Sequence, residues 1–218
     1  MRWLVPLVLS VACTHTVTKE VDDDSDLADL DVRPSELYSG FDGAHSFTAP
    51  FAVYNASDDV EVTSSPSSAV KISSKTLAKP DGDEGKYFFA EVRAAGDVKL
   101  TVTSKGRTAT AMLHVTDYDA ARYATGKARY ETGPDAAHPP CTKCHEGQDG
   151  IDHSPSALAS VTDTQIGLIL STGLSTSNFP IAVDKSQYPN GHKWTTGPGA
   201  EQDGLITYLR ALEPKGFK

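Results

Sequence analysis

Methionine is almost missing from this chain. Of its 218 residues only Met1 and Met112 are methionine, which leaves little scope for a thioether ligand or a methionine-rich binding surface. Cysteine is nearly as scarce. Cys13, Cys141 and Cys144 are the only three, too few for a small domain stapled by several disulfides. Basic charge is not in excess either. The formal net charge is -9, the wrong sign for a nucleic-acid surface. No apolar run reaches the roughly 20 residues that a membrane-spanning helix needs. Tryptophan is confined to Trp3 and Trp194, so residues 32–117 lack the buried Trp and paired cysteines of antibody-type sandwiches.

What is present is a C-x-x-C-H run, Cys141-Thr142-Lys143-Cys144-His145. It is the attachment signature of c-type haem. Two intervening residues let both sulfurs reach one edge of a porphyrin as thioethers, and His145 follows directly as a proximal iron ligand. Two other readings compete. A structural zinc site wants a second pair of Cys or His ligands, and no second pair exists. A thioredoxin-like dithiol wants a surrounding βαβ pattern, which is absent. One covalent haem c is therefore the expected cofactor.

The start of the chain suits export. Arg2 precedes a short apolar stretch from Trp3 to Ala12, the length of a signal peptide. Ala12-Cys13 resembles a bacterial lipobox, although Ser10 stands where a Leu is expected, with Leu9 one place further back. We expect a signal over 1–13 with a lipid anchor on Cys13, in an outer-membrane or periplasm-facing lipoprotein. Residues 14–31 hold seven acids against Lys19 and account for -6 of the net charge. With little to bury, they read as a solvated, disordered tether. An EF-hand loop does not fit, because its Gly and bidentate Glu are missing.

Residues 32–117 show strand patterning. Val98, Leu100 and Val102 alternate with Lys99, Thr101 and Thr103; Ser104-Lys105-Gly106-Arg107 makes a turn; Ala109, Ala111, Leu113 and Val115 resume the alternation. Further strands are expected near Ser46–Tyr54, Val60–Thr63, Ala69–Ile72 and Tyr87–Ala94. The stretch Gly96 to Thr116 resembles bacterial Ig-like domains, which implies a β-sandwich acting as spacer or docking module. Asn55-Ala56-Ser57 matches a glycosylation sequon, of no weight in a bacterial protein.

Residues 118–218 read as helices and loops. Asp119 can cap a helix to about Tyr130, Thr162-Asp163-Thr164-Gln165 opens another that stops at Gly173, and Glu201 to Leu212 carries Leu205, Tyr208, Leu209 and Leu212 on one face. With the C-x-x-C-H run, Gly126-Lys127-Ala128-Arg129-Tyr130 and Leu205 to Leu212 resemble the class I cytochrome c fold. The resemblance implies a close crossing of first and last helices at Gly126, and a sixth iron ligand that is usually Met. Glu131 to Pro140 is longer than the family pattern. With no Met in this stretch, the candidates are His138, His153, His192 or an open position. His192 lies where the family has its Met, and His153 falls nearer the proximal side. Pro155 would offer its carbonyl to His145, and Trp194 and Tyr188 would pack on the porphyrin.

The expected fold class is therefore an all-β Ig-like sandwich followed by an all-α cytochrome c domain. The expected function is single-electron transfer through one haem, with a redox protein as partner and no nucleic acid. Two alternatives stay open: a haem-based sensor or peroxidase-like enzyme with an open sixth position, and an assembly protein whose sandwich binds a partner.

Overall fold

The computed structural model describes residues 28–75, 79, 81–133, 139–145, 152–183, 191–194 and 197–216. The expected export signal with Cys13, most of the acidic segment, His138 and Tyr188 lie outside the described residues.

Among the described residues, eight strands form two sheets. The first sheet contains β1 (Asp31–Arg33), β3 (Thr48–Tyr54), β6 (Lys86–Val92) and β5 (Val70–Ser74), in that spatial order. The second contains β2 (Glu36–Phe41), β8 (Arg107–Asp117), β7 (Gly96–Ser104) and β4 (Glu61–Ser65). Period-2 alternation aims one face of each sheet inward. Val32, Phe51, Val53 and Ala90 from one sheet meet Leu37, Leu100, Val102 and Leu113 from the other in a single core. The β7–β8 hairpin turns on Lys105 and Gly106, both with positive φ, 46° and 74°. A two-residue loop of this kind matches the twist of the strands it joins.

The sandwich begins earlier than patterning suggests. Leu30 is buried in the core, Arg107 donates to the Ala28 carbonyl at 2.5 Å, and Asn55 donates to that of Asp29 at 2.8 Å. The end of the presumed tether is thus folded, because Leu30 has apolar surface to bury. Strands β1 and β2 have no clear sequence signal. β1 is three residues long, and β2 turns Ser39 as well as Leu37 inward, which breaks the apolar alternation.

On the outer face of β8, His114 is bracketed by acids from the neighbouring strands. Its Nδ1 is 2.8 Å from Asp97 and its Nε2 is 2.8 Å from Glu36. The Glu36 hydrogen bond, and then that of Asp97, raise the imidazole above its ordinary range. A raised folded value means stability that is complete below about pH 6.5 and fades as pH climbs through the folded value. Urea midpoints of the parent should thus exceed those of His114→Gln most at low pH, and the gap should close as pH rises. Parallel profiles would contradict this account.

After the sandwich come, among the described residues, five short helices: α1 (Ala121–Glu131), α2 (Thr142–His145), α3 (Pro155–Leu158), α4 (Asp163–Thr172) and α5 (Ala200–Arg210). Asp119 accepts from the Ala121 N–H at 2.9 Å at the start of α1. Thr162 and Gln165 form a reciprocal capping box on α4, and Gly173 ends it in the left-handed region, φ 70°. α1 and α5 cross at Gly126 and Gly204. A Cβ on Gly126 would stand 1.8 Å from the Gly204 carbonyl oxygen, so only a missing side chain permits the crossing.

The expected fold class is corrected on this point. The described chain is mixed, with two β-sheets followed by a few short helices, two of them only four residues long. No large all-α cytochrome c domain stands beside an independent sandwich.

The helices are built onto the sandwich instead. β2 is an edge strand, and its outer side is covered: the Tyr38 N–H donates to the Ala159 carbonyl at 2.8 Å, and Arg210 donates to the Tyr38 carbonyl at 3.1 Å. Covering an edge in this way removes a template for unwanted strand pairing. His45 stacks on Tyr123 of α1 with ring centres 3.6 Å apart. Asp163 of α4 accepts from Thr116 and Tyr118 at the end of the sandwich, at 2.8 and 2.7 Å.

Candidate functional site

The C-x-x-C-H run forms a single helical turn, because the Cys144 and His145 N–H groups both donate to the Cys141 carbonyl, at 3.1 and 3.0 Å. That turn places Cys141, Cys144 and His145 on the wall of one cavity of about 730 Å³. Pro139, Pro140, Leu158, Ile169, Ile181 and Val183 make much of the remaining lining apolar. His153, His192 and Trp194 also line it, and Lys143, Asp152, Ser175 and Thr176 add polar groups. Three imidazoles thus converge from three separate segments. The His145 ring centre is 3.4 Å from that of His153, with planes 28° apart, and 6.2 Å from that of His192, with planes 84° apart.

His192 is brought in by the end of α4. The Trp194 N–H donates to the Leu170 carbonyl at 2.8 Å. The His192 backbone runs so close to Gly173 that a Cβ there would meet the His192 oxygen at 2.9 Å. Gly173 therefore both ends α4 and admits the histidine. Trp194 packs edge-on to His192 with centres 5.5 Å apart, and the Arg129 guanidinium lies 5.8 Å from its ring centre. Arg129 is itself buried, donating to Glu201 at 2.8 Å and to the Trp194 carbonyl at 3.3 Å.

The electrostatics favour the neutral form of two of the rings, His153 and His192. Burial first, then the nearby His145, His192 and Lys215, push the His153 imidazole down to about 3. Burial and His145 likewise hold His192 below its ordinary range. Neutral imidazole is the metal-ligating form. Nδ1 of His153 and Nδ1 of His192 are both buried without a hydrogen-bond partner among the described residues, at a cost of about 1–3 kcal/mol each. Burial pushes the Cys141 thiol up to about 11, with Arg129 pulling the other way. Both thiols are free.

Of the residues expected from sequence, Cys141, Cys144, His145, His192 and Trp194 meet in this cavity. Pro155 does not line it. It is buried at the first turn of α3, after Ser154. His153 is in the cavity and against His145. Arg129 was legible only as part of the face shared by Gly126 and Tyr130 on α1, and nothing in its neighbourhood marks it as a buried cation.

No family model matches the chain, and no curated protein matches it. Several solved structures resemble part of it, two of them as follows. A crystal structure of domains 4 and 5 of the S-layer protein SbsC is 18% identical, covers 41% of this chain and 52% of its own, and has a TM-score of 0.33. The M1 domain from titin is 8% identical, covers 40% of this chain and 93% of its own, and has a TM-score of 0.29. The chain thus spans about half the length of the S-layer fragment. At these scores neither bears on what the chain does. The resemblance to an Ig-like domain followed by a class I cytochrome c domain in a lipoprotein is withdrawn on the fold itself: the described chain is mostly β, with only short helices.

Proposed function

We infer that this chain carries one covalently attached haem c in the cavity and passes single electrons through it. The observation that carries this reading is the convergence of the C-x-x-C-H turn with His192 on one mostly apolar cavity. Its volume, about 730 Å³, lies within the roughly 300–1,000 Å³ usual for small-molecule sites. The donor set also suits the group, with two free thiols beside three imidazoles, two of which have an orphaned ring nitrogen.

Cys141 and Cys144 would each add a thiol across a vinyl group, sulfur to one carbon and hydrogen to the other, with nothing leaving. His145 and His192 would hold the iron. Two metal–nitrogen bonds of about 2 Å set the centres of such rings about 6 Å apart, and the observed separation is 6.2 Å. When bound, the haem supplies an iron that takes up and releases one electron. Ile169, Ile181 and Val183 would shield it from water, and Trp194, packed against His192, would cover that side. Two imidazoles in place of a thioether favour a lower potential. Export, a lipid anchor on Cys13 and a redox protein as partner belong to this reading as proposals, supported by the sequence of residues 1–13 and by the motif.

The protein matured with haem tests it. A denaturing gel stained for haem should show a band for the parent and none for Cys141→Ser/Cys144→Ser. The parent should have a six-coordinate low-spin absorption spectrum that turns high-spin in His192→Ala. Haem retained through denaturation without both cysteines would sink covalent attachment. A parent already high-spin would remove His192 from the iron and favour an open, ligand-binding position.

A further inference from the structure

His153 lies face to face with His145, ring centres 3.4 Å apart. At that spacing the imidazoles are in contact across their faces, so neither can turn about its Cβ–Cγ bond without displacing the other. His153 is itself held. The buried Tyr130 ring stands 6.3 Å away, tilted by 55°. Beside it, Asp152 accepts from the Ser154 N–H at 2.8 Å and from the Ser154 hydroxyl at 2.9 Å. The Ser154 hydroxyl oxygen in turn accepts from the Lys215 N–H at 3.2 Å. The segment carrying His153 is thereby tied to the chain beyond α5. Across the cavity, His192 meets His145 with ring planes 84° apart.

We propose that His153 is a positioning residue that fixes the His145 imidazole at a right angle to that of His192, and so sets the relative orientation of the two axial rings. This rests on the haem reading above. Both axial rings stand upright on the porphyrin, so the angle between them is the angle between their planes. Parallel rings act on the same iron d orbital and split it from its partner. Perpendicular rings act on one each and leave the two nearly equal in energy. Axial ligation is one of the levers by which a protein tunes haem iron, and here the lever is the ring's rotation rather than its identity.

Low-temperature electron paramagnetic resonance of the oxidised, haem-loaded protein reads this angle directly. The parent should give a low-spin signal with a single resolved large g value, the mark of perpendicular rings. His153→Ala should shift it toward three resolved g values and move the midpoint potential. His153→Phe, which keeps a flat ring against His145, should retain the parent signal. A three-line parent spectrum, or His153→Ala with the parent signal unchanged, overturns the proposal. If His153→Ala does not mature, the parent and His153→Phe still decide it. A high-spin parent overturns it differently, by removing His192 from the iron and with it the reading beneath.

Discussion

Replacing Arg210 with Met should cost the fold about 3–5 kcal/mol, the range for breaking a buried ion pair by removing one partner. The Arg210 side chain is 1% exposed. It donates to the Asp163 carboxylate at 2.8 and 3.0 Å, to the Leu158 carbonyl at 2.8 Å, to the Tyr38 carbonyl at 3.1 Å, and to the Val161 carbonyl. Methionine fills comparable space but leaves those acceptors without their donor. Asp163 keeps only the hydroxyls of Thr116 and Tyr118. The acceptors come from β2, the end of α3, the loop after it and α4, so one side chain joins the sandwich to the helices. Denaturant unfolding of the parent should show one transition for both parts, and Arg210→Met should lower its midpoint and separate the two. Arg122 serves as the control, because its pair with Asp119 is exposed and 3.8 Å long; Arg122→Ala should change stability by about 1 kcal/mol or less. An Arg210→Met variant within that same margin would show that the guanidinium is not what holds the two parts together.

Gly126→Ala should be about as damaging, costing about 3 kcal/mol or more, at or beyond the upper end of the usual overpacking penalty. Its new methyl would stand 1.8 Å from the Gly204 oxygen and 2.3 Å from the Gly204 carbonyl carbon. These are backbone atoms of α5, so relief requires the helices to part, and α5 carries Leu205, Tyr208 and Leu209 into the core of this region. Intrinsic helix propensity runs the other way, favouring Ala over Gly by about 1 kcal/mol. Gly167→Ala separates the two effects. There the nearest atoms to the methyl would be the end of the Gln202 side chain, at 3.1 Å, and not backbone; a shift of a few tenths of an ångström relieves it, at most at the expense of the hydrogen bond from Gln202 to the Gly167 carbonyl, about 1 kcal/mol. Thermal unfolding should therefore show a large loss at Gly126 and a small change at Gly167. Equal losses at both positions would mean that the crossing is not what makes Gly126 necessary.

Much of the local structure was legible in the chain. The β7–β8 hairpin lies where the alternation of Val98, Leu100 and Val102 with Ala111, Leu113 and Val115 puts it, and its turn falls at Lys105-Gly106. The capping box at Thr162 and the stop at Gly173 were readable for the same reason: a cap involves residues three or four places apart. The overall class was not readable this way. Helical patterning over 118–218 suggested a self-sufficient all-α domain, whereas the helices are short and close the edge of a β-sheet. Helical periodicity reports that a segment has an apolar face, and is silent about whether a helix or a strand will cover it.

Sequence alone determined that Cys141, Cys144 and His145 share one turn, because that grouping depends on a spacing of two residues. It also determined the strands whose alternation is unbroken. Only the tertiary structure decided what surrounds that turn. His153 and His192 reach His145 from separate segments, and their contacts depend on Tyr130, on the Asp152–Ser154 turn and on the end of α4. Arg129 and Arg210 would be read as surface cations from sequence. Each is buried because its partners arrive from far along the chain, Glu201 at 72 residues from Arg129 and Tyr38 at 172 from Arg210. A buried charge is tolerated only when such partners are in place, and no local pattern can announce them.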